Sequence, residues 1–151
     1  MSNKKRKTSE VVFEYTGLED VPKDVTIVRF HSNVIEVANG MFKEYKQLKK
    51  VVLHEGLQKI GNDSCLKCHK LEHINFPSTL LEIGDNAFKE CISLKKVVLN
   101  EGLQKIGINA FWGCENLEHI TIPSTVTNIS GRAFCSCGRL ETVILNEGLK
   151  R

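Results

Sequence analysis

The sequence predicts a repeat solenoid, with short parallel strands along one side of its coils and turns, 3₁₀ turns or short helices opposite. Three observations carry this reading. A 23-residue unit recurs without insertion: VVLHEGLQKIGNDSCLKCHKLEH (51–73), INFPSTLLEIGDNAFKECISLKK (74–96), VVLNEGLQKIGINAFWGCENLEH (97–119) and ITIPSTVTNISGRAFCSCGRLET (120–142). Aligned units place apolar residues in fixed columns, such as Val51, Ile74, Val97 and Ile120, or Ile60, Ile83 and Ile106. One unit cannot bury these residues alone, whereas stacked units bury them as continuous ladders. Gly61, Gly84 and Gly107 mark a turn at the same place in successive units.

The elements follow in chain order. Residues 1–10 are polar and hold Lys4, Lys5, Arg6 and Lys7, which predicts a disordered basic tail. That cluster is the candidate targeting element, read as a nuclear import address or a patch for acidic surfaces. Residues 11–27 are expected to cap the first coil: Val11–Tyr15 can add a strand, and Gly17 and Pro22 turn the chain. Residues 28–50 form a diverged first unit, and the solenoid is expected over 28–151 as five repeats plus a truncated sixth. Within a unit, the alternation Leu48-x-x-Val51-x-Leu53 suits a short strand with one buried face. The stretch Ala87-Phe88-Lys89-Glu90-Cys91 suits one helical or 3₁₀ turn. Val143, Ile144 and Leu145 would leave an open edge. Such an edge marks a fragment of a longer array, or an end that associates with another chain.

The arrangement LxxVxLPxxLxxIGxxAFxxC closely resembles the BspA-like class of leucine-rich repeat, over residues 28–149. The resemblance implies a right-handed, leucine-rich-repeat solenoid and a binding protein, with no catalytic motif to carry over. Many members of that class are surface adhesins. The first ten residues contain no apolar stretch of a secretory signal, and no run approaches the about 18 apolar residues of a membrane span. The expected location is therefore cytoplasmic or nuclear, and the adhesin role is not carried over.

Charge narrows the function classes. The formal net charge is +3, and the tail holds all of it: residues 11–151 contain 17 bases and 17 acids. A neutral body lacks the basic groove that displaces counterions from nucleic acid, so nucleic acid is not the expected partner. Bases and acids also alternate down aligned columns: Lys49, Glu72, Lys95, Glu118, and Glu36, Lys59, Glu82, Lys105. In-register coils would set each beside its opposite, which accounts for a super-period of 46 residues.

Cys65-Leu66-Lys67-Cys68-His69 matches C-x-x-C-H, the haem-attachment pattern. The repeat explains it better. Cys68 belongs to a column with Cys91, Cys114 and Cys137, and Cys65 sits in the phenylalanine column. A packed coil leaves no room for a haem, and a zinc site of Cys65, Cys68, His69 and Cys91 is weighed against the same columns. The cysteines read as buried thiols, with no metal or cofactor expected. No phosphate loop, nucleophile elbow or H-E-x-x-H occurs, so no enzyme is expected.

The outward strand positions are the expected recognition surface. They include Lys50, Val52, His54, His73, Lys96, Val98, His119 and Ile144, where apolar residues stand among bases. Trp112 is expected on the turn side, exposed or packed against neighbours such as Leu66. The expected function is a non-catalytic protein-interaction scaffold, with a fragment of a cell-surface adhesion protein as the alternative. Neither a small-molecule substrate nor a membrane is expected.

Overall fold

A computed structural model describes residues 9–145. The basic cluster at residues 4–7 and the part of the sixth unit beyond 145 lie outside the described residues. The strands are β1 (Val12–Tyr15), β2 (Ile27–Phe30), β3 (Glu36–Val37), β4 (Lys50–Val52), β5 (Lys59–Ile60), β6 (His73–Asn75), β7 (Glu82–Ile83), β8 (Lys96–Val98), β9 (Lys105–Ile106), β10 (His119–Ile122), β11 (Asn128–Ile129) and β12 (Thr142–Leu145). All pairings are parallel, and those among β2 to β12 keep the 23-residue register, with Val51 opposite Ile74 and Ile60 opposite Ile83. Each coil therefore carries two short strands, where the sequence suggested one. The second builds a continuous ladder β3-β5-β7-β9-β11. The fold is a parallel β-solenoid of leucine-rich-repeat type.

The first strand of each coil builds the other face, in two sheets: β1-β2-β4-β6 and β8-β10-β12. β6 and β8 are neighbours in space. Among the described residues, the two are not paired in one sheet. β1 pairs with β2 at an offset unlike the repeat, Val12 opposite Ile27. It covers the first coil.

The predicted columns form the core. Phe42, Phe88, Phe111, Leu48, Leu71, Leu94, Ile60, Ile83 and Ile106 are buried. Each such side chain contributes roughly 1.5–3 kcal/mol of transfer free energy. In the last coil the ladders surface: Phe134, Cys137 and Leu140 are half-buried, and Val143 and Leu145 are 44% and 58% exposed.

Opposite the strands the chain makes turns, and no helix occurs among the described residues. The cause is local. Asn86 and Glu90 have φ of 53° and 58°, which a helix cannot accommodate. Alternate N–H groups point along the solenoid instead. Phe88 N–H donates to the Ala110 carbonyl at 2.8 Å, and Glu90 N–H to the Trp112 carbonyl at 2.7 Å.

The super-period has a second cause beside charge. Glu55 accepts the Ser78 hydroxyl at 2.8 Å, and Gly56 N–H donates to Thr79 Oγ1 at 2.9 Å. Two coils later, Ser124 bonds Glu101 at 2.9 Å and Gly102 bonds Thr125 at 3.0 Å. Units carrying Glu-Gly-Leu are clasped to following units carrying Pro-Ser-Thr. The charge columns contribute less than expected. Along Glu36, Lys59, Glu82 and Lys105, one ion pair forms within 4 Å among the described residues, Lys105 to Glu82 at 2.9 Å.

Candidate functional site

The outer face of β2, β4, β6, β8, β10 and β12 brings the candidate residues together in two rows. Alternation along each strand sends Val51 and Val97 inward and Lys50, Val52, Lys96 and Val98 outward. One row runs Lys50, His73, Lys96, His119; the other runs Val52, Asn75, Val98, Thr121, Ile144. Val98 and Ile144 are 48% and 51% exposed, whereas Val52 is half-buried. Arg29 continues the second row but is held by Glu14 at 3.2 Å.

The break between β6 and β8 lies at the centre of this face. A hollow of about 150 Å³ opens there, lined by His73, Asn75, Lys96 and Val98. A second, of about 280 Å³, lies between β8 and β10, lined by Lys96, Val98, His119 and Thr121. Lys96 and Val98 border both. The break leaves no mark in the sequence, because the 23-residue spacing continues through it.

One candidate sits elsewhere than expected. His54 is half-buried and turned back on the chain: Nε2 lies 2.8 Å from the Val34 carbonyl, and Nδ1 lies 2.6 Å from the Glu55 carbonyl. Asn100 fills this column two coils on and donates to the Phe76 carbonyl. His54 is thus a strand-end cap rather than part of the outer face. Trp112 lies on the turn side and is half-buried, with the Lys89 ammonium 4.9 Å from its ring centroid.

The C-x-x-C-H stretch is divided by the fold. Cys65 and Cys68 point into the core, while His69 is exposed. The thiols cap carbonyls of the preceding coil: Cys68 donates to Phe42 at 2.9 Å, Cys91 to Cys65 at 3.1 Å, and Cys114 to Phe88 at 3.2 Å. Burial pushes the Cys91 and Cys114 thiols well above their ordinary range. The Cys65 thiol is pushed the same way, first by its hydrogen bond with Cys68 and then by burial. Raised values keep thiols protonated, the unreactive form that neither attacks nor ligates. All six cysteines are free, and Cys135 is exposed. No group of three His, Cys, Asp or Glu side chains that could hold a metal ion occurs among the described residues. No helix long and apolar enough to cross a membrane occurs among them.

The family model for the BspA-type leucine-rich repeat region, six copies long, matches residues 3–91 and 58–151. No curated protein sequence matches the chain. Solved structures do. A leucine-rich repeat protein of T. pallidum is 32% identical, with a TM-score of 0.78 over 81% of this chain and 59% of its own. A leucine-rich cell surface protein of Faecalibacterium prausnitzii is 30% identical, with a TM-score of 0.77 over 83% of this chain and 34% of its own. A leucine-rich repeat protein of Bacteroides ovatus is 29% identical, with a TM-score of 0.69 over 89% and 33%. The chain therefore spans between a third and three fifths of the length of these proteins. With the family model covering nearly every residue and the coils built as its repeats require, the chain belongs to the BspA-type leucine-rich repeat family.

Proposed function

We propose that this chain is a non-catalytic protein-interaction scaffold that binds its partner on the outer strand face. The observation that carries the reading is the placement of Val98 and Ile144, about half exposed, beside Lys96 and His119 on rigid strands. Apolar side chains among polar ones on a preorganised surface are the composition of an interaction site. Lys50, Val52 and His73 extend the face, and Trp112 offers a separate anchor on the turn side. Residues 11–27 serve as the cap of the array, and residues 1–10 as a basic tail whose Lys4, Lys5, Arg6 and Lys7 act as an address. The exposed Val143 and Leu145 of β12 support a further mode, end-to-end association.

The test is affinity capture with the intact chain and with a Val52→Asp, Val98→Asp, Ile144→Asp variant. Loss of a captured partner is expected. Unchanged capture would overturn the assignment of the face.

A second reading is favoured by the similarity to a leucine-rich cell surface protein: the chain is part of a surface adhesion array. Protease shaving of intact source cells separates the two. Release of its peptides supports the surface reading, and protection supports an internal one.

A further inference from the structure

The outer face repeats every two coils, in charge and in apolarity alike. Lys49-Lys50 and Lys95-Lys96 are cationic doublets 46 residues apart. The coil after each doublet carries Glu72-His73 or Glu118-His119. Val52, Val98 and Ile144 follow the same two-coil step, with Asn75 and Thr121 between. Hydrogen-bonded parallel strands lie about 4.8 Å apart, so groups two paired coils apart, such as Val98 and Ile144, recur about every 9.6 Å along the solenoid axis. Lys50 and Lys96 are also two coils apart, across the unpaired step from β6 to β8. Lys50 and Lys96 make no ion pair within 4 Å among the described residues. Both are exposed.

A ligand lying across the strands must match that step. Three residues of a polyproline II segment span about 9.3 Å and return to the same face of the segment. Three residues of β-extended chain span nearly the same length but turn the side chain to the opposite face, so the polyproline II conformation is the one that fits. Nucleic acid does not match: its charges come about every 3.4 Å along a strand, and some would fall on Glu72, Glu118 and Glu141. The hollows bordered by Lys96 and Val98 add depth where such a segment would place its side chains.

We propose that the strand face binds an extended acidic peptide of three-residue period. One of its edges carries carboxylates that meet Lys50 and Lys96. The next carries apolar side chains that rest on Val52, Val98 and the hollow between β6 and β8. This rests on the reading of the strand face as the interaction surface and adds the chemistry of the partner.

The test is titration of the full chain with fluorescent synthetic peptides. One repeats Glu-Val-Pro four times. A second has the same composition with its glutamates grouped out of period, and a third probe is oligothymidylate of equal charge. The three-residue repeat is expected to bind, and the Lys50→Glu, Lys96→Glu variant to weaken it more than about tenfold, because it sets like charges against each other. Lys46→Glu is expected to change nothing, and Lys50→Arg, Lys96→Arg to keep most of the affinity, which separates charge from folding. Equal binding of the two peptides, binding of oligothymidylate alone, no binding of any probe, or indifference to Lys50→Glu, Lys96→Glu each overturns the proposal. If the aspartate variants lose a captured partner while the repeat peptide fails to bind, the face reading stands and the peptide chemistry falls.

Discussion

Asp85 donates its backbone N–H to the side-chain oxygen of Asn62, one coil back, at 2.9 Å. The same bond joins Asn62 to Asn39 and Ile108 to Asp85, both at 2.8 Å. This ladder explains the mid-unit glycines. A β-carbon on Gly84 would stand 2.5 Å from Asn62 Oδ1 and 2.7 Å from the Asn62 backbone nitrogen. Backbone cannot yield as a flexible side chain can. Gly84→Ala is expected to destabilise the array by about 1–3 kcal/mol, the range for overpacking a close contact. Gly131→Ala, with nothing within 4 Å, is expected to be near neutral. Urea midpoints of the two variants check this. Asn62→Asp should be tolerated, since Asp85 already fills the same role.

The thiol column sets an alkaline limit. Burial pushes Cys137 from an ordinary value of 9.0 up to about 11, and Cys114 still further. A thiol with a higher pKa in the folded chain binds its proton more tightly there. Its contribution is complete below pH 9.0 and is lost as pH rises through the folded value of about 11. Stability is thus expected to be flat from pH 7 to 8 and to fall between pH 9 and 11. Urea unfolding across that range tests the sign, and a Cys114→Ala, Cys137→Ala variant should show a flatter fall.

The same column orders reactivity. Exposed Cys135 is expected to alkylate at pH 8 without unfolding, Cys137 more slowly, and Cys65, Cys68, Cys91 and Cys114 only when the chain opens. Mass spectrometry of time-resolved iodoacetamide labelling reads the order directly. Early labelling of Cys91 would contradict the buried column.

The Glu55–Ser78 clasp makes a fourth prediction. Hydrogen bonds from the Ser78 hydroxyl and N–H hold the Glu55 carboxyl below its ordinary 4.5. Its contribution is therefore present above pH 4.5 and is lost as pH falls through the folded value. Ser78→Ala is expected to return Glu55 toward 4.5. NMR titration of the Glu55 side chain in both proteins checks it.

Much of the fold was legible because a solenoid repeats its contacts at a fixed spacing. Columns such as Leu48, Leu71, Leu94 and Leu117 are recognisable as core from their spacing alone. The two-residue strands of the second ladder were hidden, since Lys59–Ile60 is too short to show alternation. Ala87-Phe88-x-x-Cys91 has the spacing of one helical or 3₁₀ turn. Its positive φ values at Asn86 and Glu90 leave no trace in apolar pattern. Val98 and Ile144 were legible as outward residues. The capping role of His54 was not, because it depends on where the Val34 carbonyl ends. The gap between β6 and β8 was not legible either, since both strands keep the regular sequence spacing.

A final prediction separates the interior of the array from its end. Phe111 stacks on Phe88 at 5.3 Å and on Phe134 at 5.5 Å, with interplanar angles of 13° and 7°. It is fully buried, whereas Phe134 is half-buried. Phe111→Ala removes a ring from two coil interfaces at once and is expected to cost about 3–5 kcal/mol. Stability in a solenoid is a sum over neighbouring coils, so weakening both sides of one coil also divides the array. The unfolding transition of Phe111→Ala should therefore broaden into two steps. Phe134→Ala touches one interface at the frayed coil and should leave a single transition with a smaller shift. Urea unfolding followed by far-ultraviolet circular dichroism, with hydrogen exchange to locate the coil that opens first, distinguishes them. Equal costs in the two variants would mean that stability does not decline toward the last coil as its burial does.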